Sequence, residues 1–131
     1  MNITKNDFPR LFLENFVPNV SYKKLKKLHI LPFDDNGYLW MVCNHNLIKH
    51  LSGIDAKQKF DEVDKSSAFE IQYDNGFIGD DVACPLDKNH ISSKLIEQSN
   101  LIEFYVIGKN FSWCYIVTHE KDDCGPYFIY K

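Results

Sequence analysis

The sequence predicts an α+β fold: an antiparallel or mixed sheet of four to six strands, with about four helices largely on one face. Two observations carry this prediction. Helical spacing comes first and mostly hairpin-linked strand patterns follow. The last thirty residues, 102–131, then hold strands that are apolar on both faces. Ile102-Glu103-Phe104-Tyr105-Val106-Ile107 is aromatic and β-branched, as strands favour. Gly108-Lys109-Asn110 joins it to a second run, 111–118. There Trp113, Tyr115 and Val117 point one way, and Cys114, Ile116 and Thr118 the other. A strand apolar on both faces belongs at the centre of a sheet, covered on both sides. A closing strand starts at Tyr127.

From the N-terminus, Thr4 or Asp7 can cap a first helix, with Pro9 tolerated in its opening turn. Phe8, Leu11, Phe12 and Phe16 form its apolar stripe, and Pro18 ends it. Ser21 caps a second helix, 22–28, with Leu25 and Leu28 inward and Lys23, Lys24, Lys26 and Lys27 outward. Residues 32–37 are a turn-rich connection. Tyr38-Leu39-Trp40-Met41-Val42-Cys43 reads as a buried strand, and 45–52 as irregular or a short edge segment. Asp55 opens a third helix carrying Ala56, Phe60 and Val63 on one face. Residues 68–73 alternate, as a half-exposed strand does. Asp74-Asn75-Gly76 is a hairpin signal, with a returning strand from Phe77. Ser92 or Ser93 opens a fourth helix to Gln98, with Leu95 and Ile96 inward.

At 131 residues the chain has the length of one domain with a real core, and 1–131 is read as a single unit. No apolar run approaches the roughly 20 residues of a membrane span, and the N-terminus lacks the apolar core of a signal peptide. A soluble, cytoplasmic protein without membrane contact is therefore expected. In that compartment Cys43, Cys84, Cys114 and Cys124, widely spaced and without a C-x-x-C, are expected to be reduced thiols.

Charge is unevenly spread. Residues 1–59 hold nine Lys/Arg and five Asp/Glu, net +4. Residues 60–87 hold one Lys and eight Asp/Glu, net −7, and residues 88–131 balance at five each. An acidic middle argues against nucleic acid as the direct ligand, because phosphates need a positive surface. It suits a basic protein partner. The four lysines of the second helix could form an anion-binding patch. A solvated helix face is preferred, because no aromatic is interleaved for stacking.

Catalytic signatures are sparse. There is no Gly-rich phosphate loop, G-x-S-x-G or H-E-x-x-H. His119-Glu120 followed by Cys124-Gly125 is the most site-like constellation: a thiolate beside an imidazole could act as a nucleophile, and the same residues could hold zinc. The spacing matches no standard zinc pattern, so polar contacts at a strand end and a tight turn are preferred. No cofactor is expected. His29, His45, His50 and His90 read as surface or half-buried residues. Trp40 and Trp113 read as core. Tyr73 and Phe77 flank the Asp-Asn-Gly turn and sit among Glu70, Asp74, Asp80 and Asp81. Aromatic anchors within an acidic rim favour fast, selective docking of a basic partner.

Trp113-Cys114-Tyr115-Ile116-Val117-Thr118-His119-Glu120, then three residues, then Cys124-Gly125-Pro126-Tyr127-Phe128, resembles a bacterial family of unknown function. Its members end in W-T-Y-x-x-T-H-E and then C-G-P-Y-F. Cys114 stands where that pattern has Thr. Tyr38-Leu39-Trp40 and the helix around Phe60 are similar more loosely. The resemblance implies a shared fold rather than an activity. By size, charge and compartment the chain also resembles immunity proteins of toxin–immunity pairs, including contact-dependent growth-inhibition systems. The expected function is thus a non-enzymatic binding protein, an immunity protein that covers the basic active site of a cognate toxin such as a nuclease. Glu70, Tyr73, Asp74, Phe77, Asp80 and Asp81 are its expected contact residues. The alternatives are a small enzyme built on Cys124 and His119, or a zinc-binding structural protein.

Overall fold

In the computed structural model, residues 3–4, 6–30, 38–72, 83–99, 101, 103–118 and 124–131 are described. Among the described residues the α-helices are α1 (Phe8–Phe16), α2 (Tyr22–Lys27), α3 (Met41–Asn44), α4 (Gly53–Glu62) and α5 (Ser93–Gln98). The described strands are β1 (His50–Ser52), β2 (Phe69–Gln72), β3 (Cys84–Pro85), β4 (Phe104–Ile107), β5 (Trp113–Val117) and β6 (Tyr127–Tyr130). They form one sheet in the order β1-β6-β5-β4-β2-β3, every neighbouring pair antiparallel. The fold is α+β, as predicted.

The C-terminal strands hold the centre for the reason the sequence gives. In the β4–β5 pair Phe104 faces Val117 and Ile107 faces Cys114. On β5, Cys114 and Ile116 enter one core cluster while Trp113 and Tyr115 enter the other. Two apolar faces need two covers, so the helices are split between them rather than gathered on one. Phe8, Phe12, Phe16, Leu25, Val42 and Cys43 bring α1, α2 and α3 to the first cluster. Ala56, Phe60 and Ile96 bring α4 and α5 to the second.

Helix α1 buries Phe8, Phe12 and Phe16 at i, i+4, i+8, the spacing that stacks side chains on one face. Phe8 and Phe12 both meet the Tyr105 ring edge-on, at 5.5 and 6.1 Å. Leu13 is buried and Leu11 is only half-buried. At the N-terminus the Asp7 backbone N–H donates to Thr4 Oγ1 at 3.1 Å. Helix α2 is capped by Ser21, whose Oγ accepts from the Lys24 N–H. Its four lysines are exposed, and Leu25 is buried.

One further expectation changes. Residues 38–43 are not a strand: a turn at Leu39-Trp40 leads into α3. Leu39, Trp40, Val42 and Cys43 are all buried, which fits one helical face better than alternation. The short edge segment expected within 45–52 is found as the edge strand β1, which pairs His50 with Ile129. The turn at 32–37, the hairpin at 74–76 and the strand from Phe77 lie outside the described residues; β3 is the described neighbour of β2 on that side.

Between β4 and β5 the chain turns tightly through Lys109–Phe111, with Asn110 and Phe111 in the left-handed region at φ 57° and 55°. A non-glycine residue held there costs on the order of 1–3 kcal/mol. Gly108 precedes this turn because the Trp113 indole occupies the place a Cβ would take.

Candidate functional site

The acidic segment shows what its carboxylates do locally. Asp61, at the end of α4, accepts from the Ser93 backbone N–H at 2.8 Å and from Ser93 Oγ at 2.9 Å. It thereby ties α4 to the first turn of α5. Asp64 accepts from the Ser66 N–H and Oγ, which holds its carboxyl below the usual carboxylate range. Asp87 caps the single helical turn at Lys88–His90 by accepting from the Asn89 N–H at 2.7 Å. Asp61, Glu62, Asp64 and Asp87 remain exposed, so each keeps its charge at the surface.

Glu70 requires a correction. Expected on an exposed acidic rim, it is 6% exposed. Its Oε1 accepts from the Asp87 N–H at 2.8 Å and lies 2.9 Å from His90 Nδ1, while Oε2 accepts from Gln72. The His90 ring stands edge-on to Phe104 at 5.0 Å. Glu70 points to the sheet face that α4 and α5 cover, and the Lys88–His90 turn closes over it. It is a buried anchor for that turn and not a steering charge. Tyr73, Asp74, Phe77, Asp80 and Asp81 lie outside the described residues.

Replacing Glu70 by alanine leaves the Asp87 N–H and His90 without their acceptor. A loss of about 2–3 kcal/mol is expected, read as a lower urea midpoint. A Glu70→Ala variant as stable as the parent would show that this network holds nothing.

The residues of the C-terminal sequence pattern meet those around Trp40. Trp40 Nε1 donates to Glu103 Oε1 at 3.2 Å, and both side chains are buried. The Trp40 ring stacks on Tyr38 at 5.7 Å and on Tyr127 at 6.5 Å. His50 stands edge-on to Tyr127 at 5.3 Å. Thr118 Oγ1 donates to the Cys124 carbonyl at 2.6 Å, beside Gly125, whose φ of 89° only glycine adopts readily. Trp40 and the pattern residues Thr118, Cys124, Gly125 and Tyr127 therefore gather at one corner, between the end of β5 and the start of β6. Sequence reading did not single out Glu103. Its one signal was a lone carboxylate opening an apolar strand.

Cys124 is half-buried and its carbonyl serves this corner; His119 and Glu120 lie outside the described residues. Among the described residues no three His, Cys, Asp or Glu side chains gather as metal ligands. Cys43 and Cys114 are buried, and burial pushes both thiols well up. Among the described residues no helix is long and apolar enough to cross a membrane.

The chain is thus an α+β protein with an antiparallel six-stranded sheet covered by helices on both faces. The chain belongs to the family described as a domain of unknown function, DUF4275, whose model matches residues 6–128. No curated protein matches the chain. No solved structure matches it either.

Proposed function

We propose that the protein is a non-enzymatic binding protein, an immunity protein that neutralises a toxin domain by covering its basic active site. The observation that carries this reading is the net charge of −7 over residues 60–87. Asp61, Glu62, Asp64 and Asp87 hold part of that charge at the surface. Concentrated charge of one sign raises the rate at which an oppositely charged partner arrives, and it penalises partners of like charge. Tyr73 and Phe77 supply apolar contact, and Asp74, Asp80 and Asp81 supply pairing charge. Glu70 acts indirectly, by fixing the Lys88–His90 turn.

The test is charge reversal in the chain co-expressed with the product of the neighbouring reading frame. Glu62→Lys combined with Asp80→Lys and Asp81→Lys is expected to weaken the complex at least about tenfold, with a smaller loss of affinity as salt rises. Unchanged affinity and unchanged salt dependence would refute the reading.

A further inference from the structure

Beside the β3 edge of the sheet lies a cleft of about 400 Å³, in the size range of small-molecule sites. Phe69 of β2 and Phe111 of the β4–β5 turn meet edge to face at 5.7 Å and floor it. Ser67, Lys109 and Asn110 give it an exposed polar lip, and the exposed Cys84 stands on its wall. Ser67, Asn110 and Phe111 all have left-handed backbones, at φ 62°, 57° and 55°. For a bulky residue such as Phe111 this conformation is an outlier. It persists where the surroundings over-determine it, here through the Phe8 and Phe16 rings packed on Phe111. Outliers of this kind concentrate at ligand sites.

Lys109 puts a cation at the mouth of an aromatic floor. Asp64 is an acidic group within its electrostatic reach, and the Asp64 oxygens already accept from Ser66. We propose that this cleft binds a small aromatic carboxylate, its ring on the Phe69–Phe111 floor and its carboxylate against Lys109 and Asn110. An aromatic ring gains from edge or offset contact with two phenylalanines. A carboxylate gains a charge-assisted hydrogen bond at the lip.

Cys84 serves as the reporter. The full chain is treated with N-(4-carboxyphenyl)maleimide, N-phenylmaleimide and N-ethylmaleimide. The labelling rate at Cys84 is read by peptide mass mapping and divided by each reagent's rate with N-acetylcysteine. The carboxyphenyl reagent is expected to label Cys84 about tenfold faster than the ethyl reagent, a factor worth 1.4 kcal/mol. Lys109→Gln, at an exposed position, is expected to abolish most of that advantage, read as the ratio of the carboxyphenyl rate to the ethyl rate within the variant. Equal normalised rates for the three reagents would overturn the proposal. So would a phenyl rate equal to the carboxyphenyl rate, or an advantage that survives Lys109→Gln.

Discussion

Phe60→Ala is expected to lower the unfolding free energy by about 3–5 kcal/mol, the range for deleting a fully buried phenylalanine. Phe60 is wholly buried in the core of the second face. Its ring stacks on Tyr115 at 4.2 Å and meets Trp113 edge-on at 6.0 Å. The Lys65 ammonium sits 4.7 Å above the same ring. Each aromatic contact adds about 0.5–1.5 kcal/mol beyond the area it buries. Phe60 is the largest side chain that α4 gives to the sheet, so nothing on that helix can fill the gap. A small domain has roughly 5–15 kcal/mol in total, so this one side chain accounts for a large fraction of the margin. Urea denaturation followed by Trp fluorescence reads the loss. A change under about 1.5 kcal/mol, the cost of a volume-conserving swap, would mean that α4 does not pack as described.

Alkaline pH should unfold the protein almost as effectively. Burial pushes the Cys43 and Cys114 thiols above their ordinary 9.0, and Cys114 is raised further by Cys43 nearby. Burial, then the charges of Glu97 and Asp61, push the Tyr115 phenol above its ordinary 10.0. In each case the folded state favours the neutral form. The stability these groups confer is therefore complete below pH 9 and falls as pH rises, because only the unfolded chain ionises. Each group loses about 1.4 kcal/mol per pH unit above its unfolded value. The two thiols together give a slope of about 3 kcal/mol per unit above pH 9, and Tyr115 steepens it above pH 10. The urea midpoint should fall sharply between pH 9 and pH 10.5, and Cys114→Val should make the fall shallower. A midpoint constant over that interval would contradict the burial of both thiols.

The strands at 104–107, 113–117 and 127–130 were legible because a two-sided apolar run has few other places to go. The stripes of α1 and α2 were legible from spacing and from Ser21. Residues 38–43 misled because six apolar residues in a row satisfy both periods, and only the burial of Leu39, Trp40, Val42 and Cys43 together separates them. Glu70 misled for another reason. Alternation says which way a strand residue points, but not what lies on that side, and here the Lys88–His90 turn does. Glu103 was invisible because its partner, Trp40, lies 63 residues away. The same distance problem hid the aromatic floor, which joins β2 to the β4–β5 turn.

The order of the strands also sets a timetable for the living cell. The strands β4, β5 and β6 are made after residue 103, while β1 and β2, which they must join, are made before residue 73. The phenylalanine stripe of α1 has Tyr105 as its seat, so it stays wet until nearly a hundred more residues exist. At roughly 5–20 residues per second the ribosome holds that sticky stripe in the open for seconds. The sheet therefore cannot be completed until the last strands have emerged. Until then the exposed stripe is the surface through which one nascent chain could stick to another.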